Sequence, residues 1–486
     1  MGPPERRRWF WVLYGAWIFV TFAYFLPAAT WNPVSRFELT RSVVERGKLD
    51  IDAFADSTGD RAFVAGHWYS DKAPLPALLA VPAYALLYAW DQRQGQDAVY
   101  TASGTEERPA LRVTVNHPFA RGLYVSSLST AALGGVALAI AIYEVLRRRV
   151  TPVIAFAATT ATVLGTPLFA YATSLYGHTL AAALLFGAVA LLDGPAAGDG
   201  AFAPGAAHGP LRWAGMFLVA AIGCEYLAVI PALVIGVAIA FRLPGPARPR
   251  AVLDLAEGAI VPALVIAAYH TACFGAPWRT GYSFIVHPDF AGQGRGLLGI
   301  QLPRVSVLAS LLFGTRRGLF YVAPIAAVGV GAMLYGLRKR SPDWLVPVGL
   351  AAFGALLLVN AGYYMWWGGA SAGPRHLVPA LGFVAIGVAR ALAAPRVRYP
   401  ALGVALISML GMLLLVGVGI EAPEEGNIML DYVWRSFRAG DLSRLSGASN
   451  WAISAGLPPG GSLGPLLAWW IVGGRYLARA AASEDR

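Results

Sequence analysis

The polar segment at residues 30–73 concentrates charged side chains that could carry out chemistry. Its four candidate catalytic carboxylates are Asp50, Asp52, Asp60 and Asp71. A carboxylate can act as a general base toward a hydroxyl group, and the ammonium of Lys72, directly after the last aspartate, can hold a phosphate group. The cluster therefore indicates proton abstraction beside a bound phosphate. The alternative for each single aspartate is a solvated loop charge that caps a helix or pairs with a neighbour.

The same segment offers further candidates. His67 is a second candidate ligand for a phosphate-bearing donor, and Tyr69 is a candidate for shaping the substrate site. The pattern requires no metal, although aspartate and histidine side chains are available to bind a divalent ion. Upstream, residues 34–46 place apolar side chains near one side of a helix and charged ones elsewhere. This pattern is typical of a helix that lies in the plane of the membrane interface.

Single polar residues also interrupt or flank the apolar runs. Glu225 lies at a break within the run 213–241, and a carboxylate in a membrane is costly enough to be a functional-site hypothesis. The alternative is that it caps the second helix and faces water. His178, which begins another run, is with Glu225 a candidate for shaping the substrate site, although a lone histidine there more often packs at the interface. Arg317 is a candidate phosphate ligand, with pairing to loop carboxylates as its alternative, and Tyr282 is a candidate for shaping the site.

The segment from Tyr363 to His376 combines aromatic residues and glycines with an arginine. The faces of Trp366 and Trp367 can stack on sugar rings, and glycines allow a backbone to approach a ligand closely. Arg375 stands at the start of an apolar run, where its planar guanidinium can pair with a phosphate through two hydrogen bonds. This set exceeds what an aromatic belt at a membrane interface requires.

The composition shows which elements must position these residues. The 486 residues are 57% hydrophobic and 13% charged, and their mean hydropathy is +0.56, whereas soluble domains carry roughly 25% charged residues. This composition excludes an ordinary soluble enzyme and a disordered chain. The apolar runs are continuous rather than alternating, which predicts a helical membrane protein rather than a barrel.

The net charge of +11 comes largely from basic clusters at the ends of apolar runs. These clusters indicate membrane topology rather than nucleic-acid binding, because basic residues favour the cytoplasmic side. They are Arg6–Arg8, Arg147–Arg149, Arg242–Arg250, Arg338–Arg340, and Arg396 with Arg398. One arrangement places all of them inside and the first loop, residues 30–73, outside. It requires that 74–90 dips without crossing, that 213–241 forms two short helices meeting near the outer side, and that 304–313 is re-entrant or superficial.

About eleven transmembrane helices are expected. Nine spanning runs are 9–29, 118–146, 152–170, 176–192, 251–274, 318–337, 344–361, 376–394 and 400–420, and 213–241 supplies two more. Residues 1–420 would form the transmembrane domain, and residues 421–486 a C-terminal segment on the outer surface. Within that segment, the apolar run Leu466–Val472 is too short to span a bilayer.

Several of these motifs resemble, in order, those of a bacterial branch of the GT-C superfamily of polytopic membrane glycosyltransferases. The superfamily includes the aminoarabinose transferases and relatives of the protein O-mannosyltransferases. The motifs are Ser70-Asp71-Lys72-Ala73-Pro74, Glu225-Tyr226, Phe274-Gly275-Ala276-Pro277, Arg317-Gly318-Leu319-Phe320-Tyr321 and Trp367 to Arg375. The resemblance extends over most of the chain.

The resemblance implies an α-helical GT-C bundle in the bacterial inner membrane, with the N-terminus in the cytoplasm and the active face outside. It implies a polyprenyl-phosphate-linked sugar donor, a lipid, glycan or protein acceptor, inversion at the sugar carbon and an acidic base in the first outer loop. Better-studied members place an acid almost directly after the first helix, where this chain has Thr30-Trp31-Asn32. The base must then come from the four aspartates, with Asp60 or Asp71 favoured, while Lys72, Arg375 and Arg317 would hold the phosphate.

Two other functions fit parts of the pattern. Broken helices with a charge at the break are typical of transporter sites, so a lipid or glycolipid flippase is the second hypothesis. The long polar first loop and the plain cytoplasmic face argue against it. A non-catalytic membrane scaffold is the third hypothesis, and it predicts that no single outer carboxylate matters.

Overall fold

A computed structural model describes residues 3–103, 112–193, 208–243, 245–294, 296, 299–338, 343–439 and 449–483. Helices make up most of these residues. In chain order they are α1 (Pro3–Ala23), α2 (Trp31–Arg41), α3 (Leu75–Arg93), α4 (His117–Ser127), α5 (Leu133–Leu146), α6 (Pro152–Leu164), α7 (Leu168–Ala172), α8 (His178–Leu192), α9 (His208–Cys224), α10 (Val229–Arg242), α11 (Arg248–Phe274), α12 (Val305–Phe313), α13 (Leu319–Val322), α14 (Pro324–Gly336), α15 (Leu345–Gly362), α16 (Val384–Ala393), α17 (Arg398–Val418), α18 (Arg435–Ala439), α19 (Trp451–Ser454) and α20 (Gly464–Ser483).

Three small antiparallel sheets of two strands each accompany the helices, so the fold is mainly rather than wholly α-helical. The pairs are β1 (Phe25–Leu26) with β6 (Ser449–Asn450), β2 (Arg61–Val64) with β3 (His67–Ser70), and β4 (Tyr100–Ser103) with β5 (Arg112–Val115). The π-helical segments are Ser42–Arg46, Leu128–Ala132 and Ile428–Trp434, and the longer 3₁₀ segments are Asp52–Ser57, Pro288–Gly294 and Arg375–Phe383.

The helices are those of a multi-pass membrane protein. By length and composition, five helical segments of the described residues can cross a membrane. They are His117–Leu146, Gly245–Phe274, Leu345–Gly362, Arg375–Ala393 and Arg398–Val418. These segments coincide with five of the predicted runs, because an uninterrupted stretch of about 20 apolar residues leaves the backbone few alternatives to a helix in a bilayer.

Three apolar runs are divided into two helices each. The break in 213–241 is confirmed, because Glu225 has an extended backbone between α9 and α10. The run 152–170, expected to be one helix, divides into α6 and α7 just before Pro167. The run 318–337 divides into α13 and α14 at Pro324. Proline lacks an amide hydrogen and disfavours a helical residue before it, which accounts for the last two breaks.

The predicted basic clusters meet at one end of the bundle, here called the basic end. There Arg7 pairs with Glu144, Arg149 pairs with both Asp193 and Asp343, and the guanidinium of Arg242 lies 4.1 Å from the Trp344 ring. Lys339 and Arg340 lie outside the described residues. Helices α8, α10 and α15 connect this end with the opposite one, which carries His178, Glu225 and Tyr363. The candidate site residues on these helices therefore lie away from the basic clusters.

Two short or proline-rich helices border the end opposite the basic clusters. Helix α3 packs on α2, on α4 and on the π-helical segment Leu128–Ala132. The last two belong to the half of the long helix His117–Leu146 that lies away from the basic end. Helix α12 has only nine residues, about half the length that a bilayer requires. The length of α12 is consistent with a segment that does not span at 304–313, whereas the expectation that 74–90 dips without crossing stays a prediction.

Most of the segment 34–46 is helical as expected, but the expectation that this helix lies in the membrane interface is wrong. Residues 32–42 are all buried, including the charged side chains of Arg36, Glu38 and Arg41. Arg41 is paired with both Glu38 and Glu45, at 2.9 Å each. The rest of the first loop covers the polar side of α2, so that side contacts protein rather than water.

The C-terminal apolar run belongs to a longer helix than expected. Helix α20 has 20 residues rather than the short surface segment predicted at Leu466–Val472. Trp469 and Trp470 pack on α1, where the indole of Trp470 donates a hydrogen bond to Thr21 at 3.1 Å and that of Trp17 donates to the Trp469 carbonyl at 3.1 Å. The contacts of this helix with α1 join residues that are far apart in the sequence. A local run of apolar residues could not indicate those contacts.

Helices α9 and α11 cross at two glycines, which gives a stability prediction. A Cβ at Gly215 would lie 1.9 Å from the Leu255 carbonyl oxygen, and a Cβ at Gly258 would lie 1.7 Å from that of Arg212. Gly215→Ala and Gly258→Ala should each destabilise the protein by about 1–3 kcal/mol, because the backbones must separate. Thermal unfolding in detergent measures this effect. Gly354→Ala on α15, where the added methyl meets open space, is the control, and an equal loss in that variant would contradict the prediction.

Candidate active site

A β-hairpin in the first loop brings two candidate aspartates together. In the pairing of β2 and β3, Arg61 lies opposite Ser70. Asp60, just before β2, and Asp71, just after β3, therefore face each other at the open end of the hairpin. At the other end, Ala65 and Gly66 both have positive φ angles of 50° and 89°, as a two-residue type I′ turn requires. The register of this hairpin places the two carboxylates side by side.

Lys72 joins the two carboxylates. Its Nζ lies 3.0 Å from Oδ2 of Asp60 and 2.9 Å from Oδ2 of Asp71. All three side chains are buried, and the ring centroid of Tyr282 lies 5.8 Å from the same Nζ. Four of the predicted site residues are therefore together. Asp60, Asp71 and Lys72 are called the lysine–aspartate cluster below.

Neighbouring segments hold the cluster in place. The hydroxyl of Ser35 in α2 donates a hydrogen bond to the Asp60 carbonyl at 2.6 Å and lies 2.8 Å from the Ser70 hydroxyl. Gly281 packs directly on the backbone of Asp71, because a Cβ there would lie 2.5 Å from the Asp71 Cα. The hairpin is therefore fixed on both sides, by α2 and by the loop after α11.

The carboxyl group of Asp71 has an unusual electrostatic environment. Burial raises its pKa to about 6, the ammonium of Lys72 opposes this rise, and the carboxylate of Asp60 adds to it. Its Oδ1 atom is buried and has no hydrogen-bond partner among the described residues. A carboxylate with a pKa near neutrality and a vacant acceptor atom can take a proton from a bound hydroxyl group.

Glu225 and His178, which the sequence suggested separately, form one polar group. Nδ1 of His178 lies 3.1 Å from Oε2 of Glu225, and Nη2 of Arg36 lies 3.7 Å from the same oxygen. Arg36 also donates a hydrogen bond to the carbonyl of Ala73 at 2.8 Å, which connects this group with the residue after Lys72. Arg36 was not among the predicted site residues, because in the sequence it resembles an ordinary charge on an amphipathic helix.

Arg375 lies at the start of the 3₁₀ segment before α16. Its charge interacts with Asp60 and with Glu421, and its Nε has no hydrogen-bond partner among the described residues. A Cβ at Gly368 would lie 3.0 Å from the Arg375 side chain, so the glycines of this segment let the backbone approach the arginine. Lys72 contacts Asp60 directly, and Arg375 interacts with the same carboxylate electrostatically.

Glu421 is a residue that the sequence analysis missed. It accepts hydrogen bonds from the hydroxyl of Thr30 at 2.8 Å and from that of Tyr176, and burial raises its pKa. It is the first residue after the run 400–420, so the argument applied to Glu225, a carboxylate adjoining an apolar run, could have identified it.

Arg317 is bonded through one of its three guanidinium nitrogens, because its Nε and Nη1 have no hydrogen-bond partner among the described residues. Its side chain is fully buried, and its Nη2 donates hydrogen bonds to three backbone carbonyls. These belong to Gly369 at 3.1 Å, Ala422 at 3.0 Å and Pro423 at 2.7 Å. Arg317 thereby fastens the Trp367–Arg375 segment to the loop after α17.

The two tryptophans lie around a different arginine. The ring centroids of Trp366 and Trp367 lie 5.7 Å and 5.1 Å from the guanidinium carbon of Arg316, and the indole of Trp367 donates a hydrogen bond to Glu424 at 2.8 Å. Tyr364 of the same segment interacts electrostatically with the lysine–aspartate cluster.

Asp50, Asp52 and His67 form a second group in the first loop. Nδ1 of His67 lies 2.7 Å from Oδ2 of Asp52. Burial acts to raise the pKa of Asp52, but hydrogen bonds from His67 and the Trp68 amide hold it below its usual range. His67 and Asp71 are four residues apart along an extended strand, about 13 Å, so this group is separate from the lysine–aspartate cluster.

This second group is also the set of described residues best suited to a divalent ion. The ligand atoms of its three side chains all lie within 4.8 Å of one another, and the donor set of two carboxylates and one imidazole suits several divalent metals. Two of the three side chains, His67 and Asp52, are exposed and already bonded to each other. Tyr69, on the same strand, packs its ring 6.0 Å from that of Phe274.

Comparison of the whole structure with solved structures identifies its fold. ArnT from Cupriavidus metallidurans in the apo state matches with a TM-score of 0.50 and 17% identity, over 96% of this chain and 74% of that one. ArnT from Cupriavidus metallidurans bound to undecaprenyl phosphate matches with a TM-score of 0.51 and 14% identity, over 98% and 76%. The chain has the GT-C fold. The fold that the sequence motifs predicted is thereby confirmed.

The apo oligosaccharyltransferase of Archaeoglobus fulgidus has a TM-score of 0.41 and 12% identity, over 83% of this chain and 54% of that one. Neither a protein-family model nor a curated protein matches the sequence.

Proposed function

We propose that this GT-C protein is a glycosyltransferase that moves a sugar from a polyprenyl-phosphate donor to the hydroxyl group of a lipid, glycan or protein acceptor. The observation that carries the proposal is the lysine–aspartate cluster, in which two buried carboxylates share one ammonium. The nearby carboxylate of Asp60 raises the proton affinity of Asp71, which suits Asp71 to act as a general base.

The fold and the charge distribution support the remaining parts of the proposal. One GT-C protein, ArnT from Cupriavidus metallidurans, has been crystallised with undecaprenyl phosphate, so the fold can accommodate a lipid phosphate. Basic residues favour the cytoplasmic side of a membrane. The arginines of the basic end therefore favour an N-terminus in the cytoplasm and a first loop on the outer face of a bacterial inner membrane.

Asp71 is the base in the proposed reaction. The acceptor hydroxyl occupies the vacant position at Oδ1 of Asp71, and its oxygen attacks the anomeric carbon of the sugar. The bond between that carbon and the phosphate oxygen breaks, the hydroxyl proton passes to Asp71, and polyprenyl phosphate leaves with the bonding electron pair. Attack opposite the leaving group inverts the configuration at the sugar carbon.

Lys72 and Arg375 stabilise the departing phosphate. Its negative charge grows as the bond breaks, and cations that gain interaction energy in the transition state accelerate the step. Lys72 shares its charge between two carboxylates in the resting site. When Asp71 takes the proton, one of these partners becomes neutral, so the ammonium interacts more strongly with the phosphate at the moment when charge develops there.

The other candidate residues take supporting roles in this proposal. Arg36, Glu225 and His178 position the backbone after Lys72, and Tyr282 borders the sugar. Trp366, Trp367 and Tyr69 are assigned to contacts with the sugar or the acceptor. The second group in the first loop, Asp50, Asp52 and His67, makes its contacts apart from Lys72 and does not supply the base in this proposal, and no step of the proposed reaction requires a metal there.

The proposed base gives a prediction for the dependence of the reaction on pH. Because Asp71 must be ionised, kcat/KM should rise with pH through the pKa of about 6. The variant Asp60→Asn removes a negative charge that raises this pKa, so the rise should move to lower pH in that variant. Initial rates of transfer measured between pH 4.5 and 8.5 test this. Asp56→Asn, which changes an exposed carboxylate of the same loop, should leave the profile unchanged, and a shift to higher pH in Asp60→Asn would contradict the assignment.

The proposed function itself is tested with purified protein and a polyprenyl-phosphate donor that carries a radiolabelled sugar. Transfer of the label to a membrane-derived acceptor fraction, with release of polyprenyl phosphate, is the expected result. Movement of the labelled donor across sealed vesicles without any covalent transfer would instead identify a flippase and would contradict the proposal.

A further inference from the structure

A cavity of about 560 Å³ lies at the basic end of the bundle, away from the lysine–aspartate cluster. Its lining includes four arginines, one helix start and apolar side chains. The lining residues include Arg147, Arg148, Arg149, Thr151, Ile154 and Arg398. This hollow is called the basic cavity.

The charges around the basic cavity are incompletely balanced. Arg149 pairs with the two nearby carboxylates: its Nη2 lies 2.6 Å from Asp193, and its Nε donates a hydrogen bond to Asp343. Arg148 reaches the same Asp193 only at 3.4 Å, and a third of its side chain is exposed. Arg398 donates hydrogen bonds to two backbone carbonyls, at 2.8 Å and 3.3 Å. Carbonyls do not neutralise a guanidinium, so Arg148 and Arg398 retain positive charge for a further anion.

A helix start adds to the positive potential in the same place. Helix α6 begins at Pro152, directly after Thr151 of the cavity lining, and the Thr151 side chain makes no capping hydrogen bond. The first amide groups of a helix carry partial positive charge and bind anions well. The cavity thus combines this helix start with two incompletely neutralised arginines, which is the chemistry that a phosphate group requires.

An apolar stripe leads from the cavity toward the middle of the bundle. Along α17, Arg398 is followed at four-residue intervals by Leu402, Leu406 and Leu410, which share one face of the helix. The three leucines are exposed by 36%, 60% and 47% of their surface. An exposed leucine row of this length on a membrane-spanning helix faces lipid, so an anion bound at Arg398 has space for an attached acyl chain.

We propose that the basic cavity binds the phosphate group of an anionic membrane phospholipid, with an acyl chain along the leucine stripe of α17. Basic pockets between transmembrane helices bind anionic lipid headgroups elsewhere. The stripe distinguishes this occupant from a soluble phosphate, which would gain nothing from the exposed leucines. The site is independent of the proposed transfer reaction, because it lies at the other end of the helices.

Native mass spectrometry of the full-length protein tests the proposal. The protein is released from micelles supplemented with tetraoleoyl cardiolipin, dioleoylphosphatidylglycerol or dioleoylphosphatidylcholine, and the retained lipid is counted. The two anionic lipids should be retained and phosphatidylcholine should be lost. An arginine near an anionic lipid surface contributes roughly fivefold in affinity, so Arg148→Gln should lower the retained fraction by about that factor. The double variant with Arg398→Gln should lower it further.

The controls separate this site from a general attraction of lipid to basic residues. Arg338→Gln removes an exposed arginine near the same end but outside the cavity lining, and it should retain anionic lipid as the unmodified protein does. Equal losses in Arg338→Gln and Arg148→Gln, or equal retention of phosphatidylcholine and cardiolipin, would overturn the proposal. Glycerol 3-phosphate, which has the headgroup chemistry without acyl chains, should bind far more weakly, and equal binding would overturn the role of the leucine stripe.

Discussion

Replacing Asp71 by asparagine should lower the rate of sugar transfer by about 10²- to 10⁴-fold, the range that a positioned general base contributes. Asparagine keeps the size of the side chain but cannot accept the hydroxyl proton. The measurement is the initial rate of label transfer from the polyprenyl-phosphate donor by purified variants. The loss should appear in kcat, because the proton moves only in the transition state, while the KM for the donor changes little.

Two matched variants make this result specific to Asp71. Asp56→Asn changes an exposed carboxylate of the same loop and should retain full activity. Asp60→Asn removes the second carboxylate of the cluster, and it should retain more activity than Asp71→Asn because the base remains. If Asp60→Asn were the inactive variant and Asp71→Asn remained active, Asp60 would be the base. Full activity in both would disprove the assigned chemistry.

Asp60 and Asp71 are favoured as the base over Asp50 and Asp52 because the β-hairpin sets them side by side. The sequence indicates this hairpin only in part. Ala65-Gly66, between two short runs of alternating residues, is compatible with a two-residue turn. Such a turn fixes the register of the hairpin and thus sets Asp60 beside Asp71. His67 then falls near the turn. The separation between the lysine–aspartate cluster and the group of Asp50, Asp52 and His67 could therefore be predicted from the local sequence, because His67 and Asp71 lie at opposite ends of the five positions 67–71.

Other parts of the site depend on contacts between distant segments. Arg36 looked like a charge on an interfacial helix, yet it is buried between Glu225 and the Ala73 carbonyl. Arg317 remains a predicted phosphate ligand, and its Nη2 donates hydrogen bonds to three carbonyls of two loops, contacts that its own segment does not indicate. The apolar runs predicted the membrane helices, and the basic clusters predicted which ends of those helices lie together at the basic end. Both features depend only on the composition of one short stretch of sequence. Partner choice within the site depends on tertiary packing, which no single segment encodes.

Lys72→Gln should reduce transfer by about 10²- to 10³-fold, the loss that follows removal of one preorganised group that stabilises transition-state charge. The cause differs from that of Asp71→Asn, because the lysine acts on the leaving phosphate. Glutamine leaves Asp60 and Asp71 without their shared cation, so the pKa of Asp71 should also rise and the pH at which activity appears should move upward. This direction is opposite to that expected for Asp60→Asn.

A pair of further variants separates the lysine's charge from its packing. Lys72→Arg keeps a cation near the two carboxylates and should recover part of the lost rate and restore the pH profile toward that of the unmodified protein. Arg375→Gln removes the other predicted phosphate ligand and should lower the rate without moving the pH profile as far, since Arg375 is not in the ion pair with Asp71. A Lys72→Gln variant that transferred sugar at the unmodified rate, with an unshifted profile, would show that the phosphate leaves without help from this ammonium. The positions of the two cations would then have to be explained by stability alone.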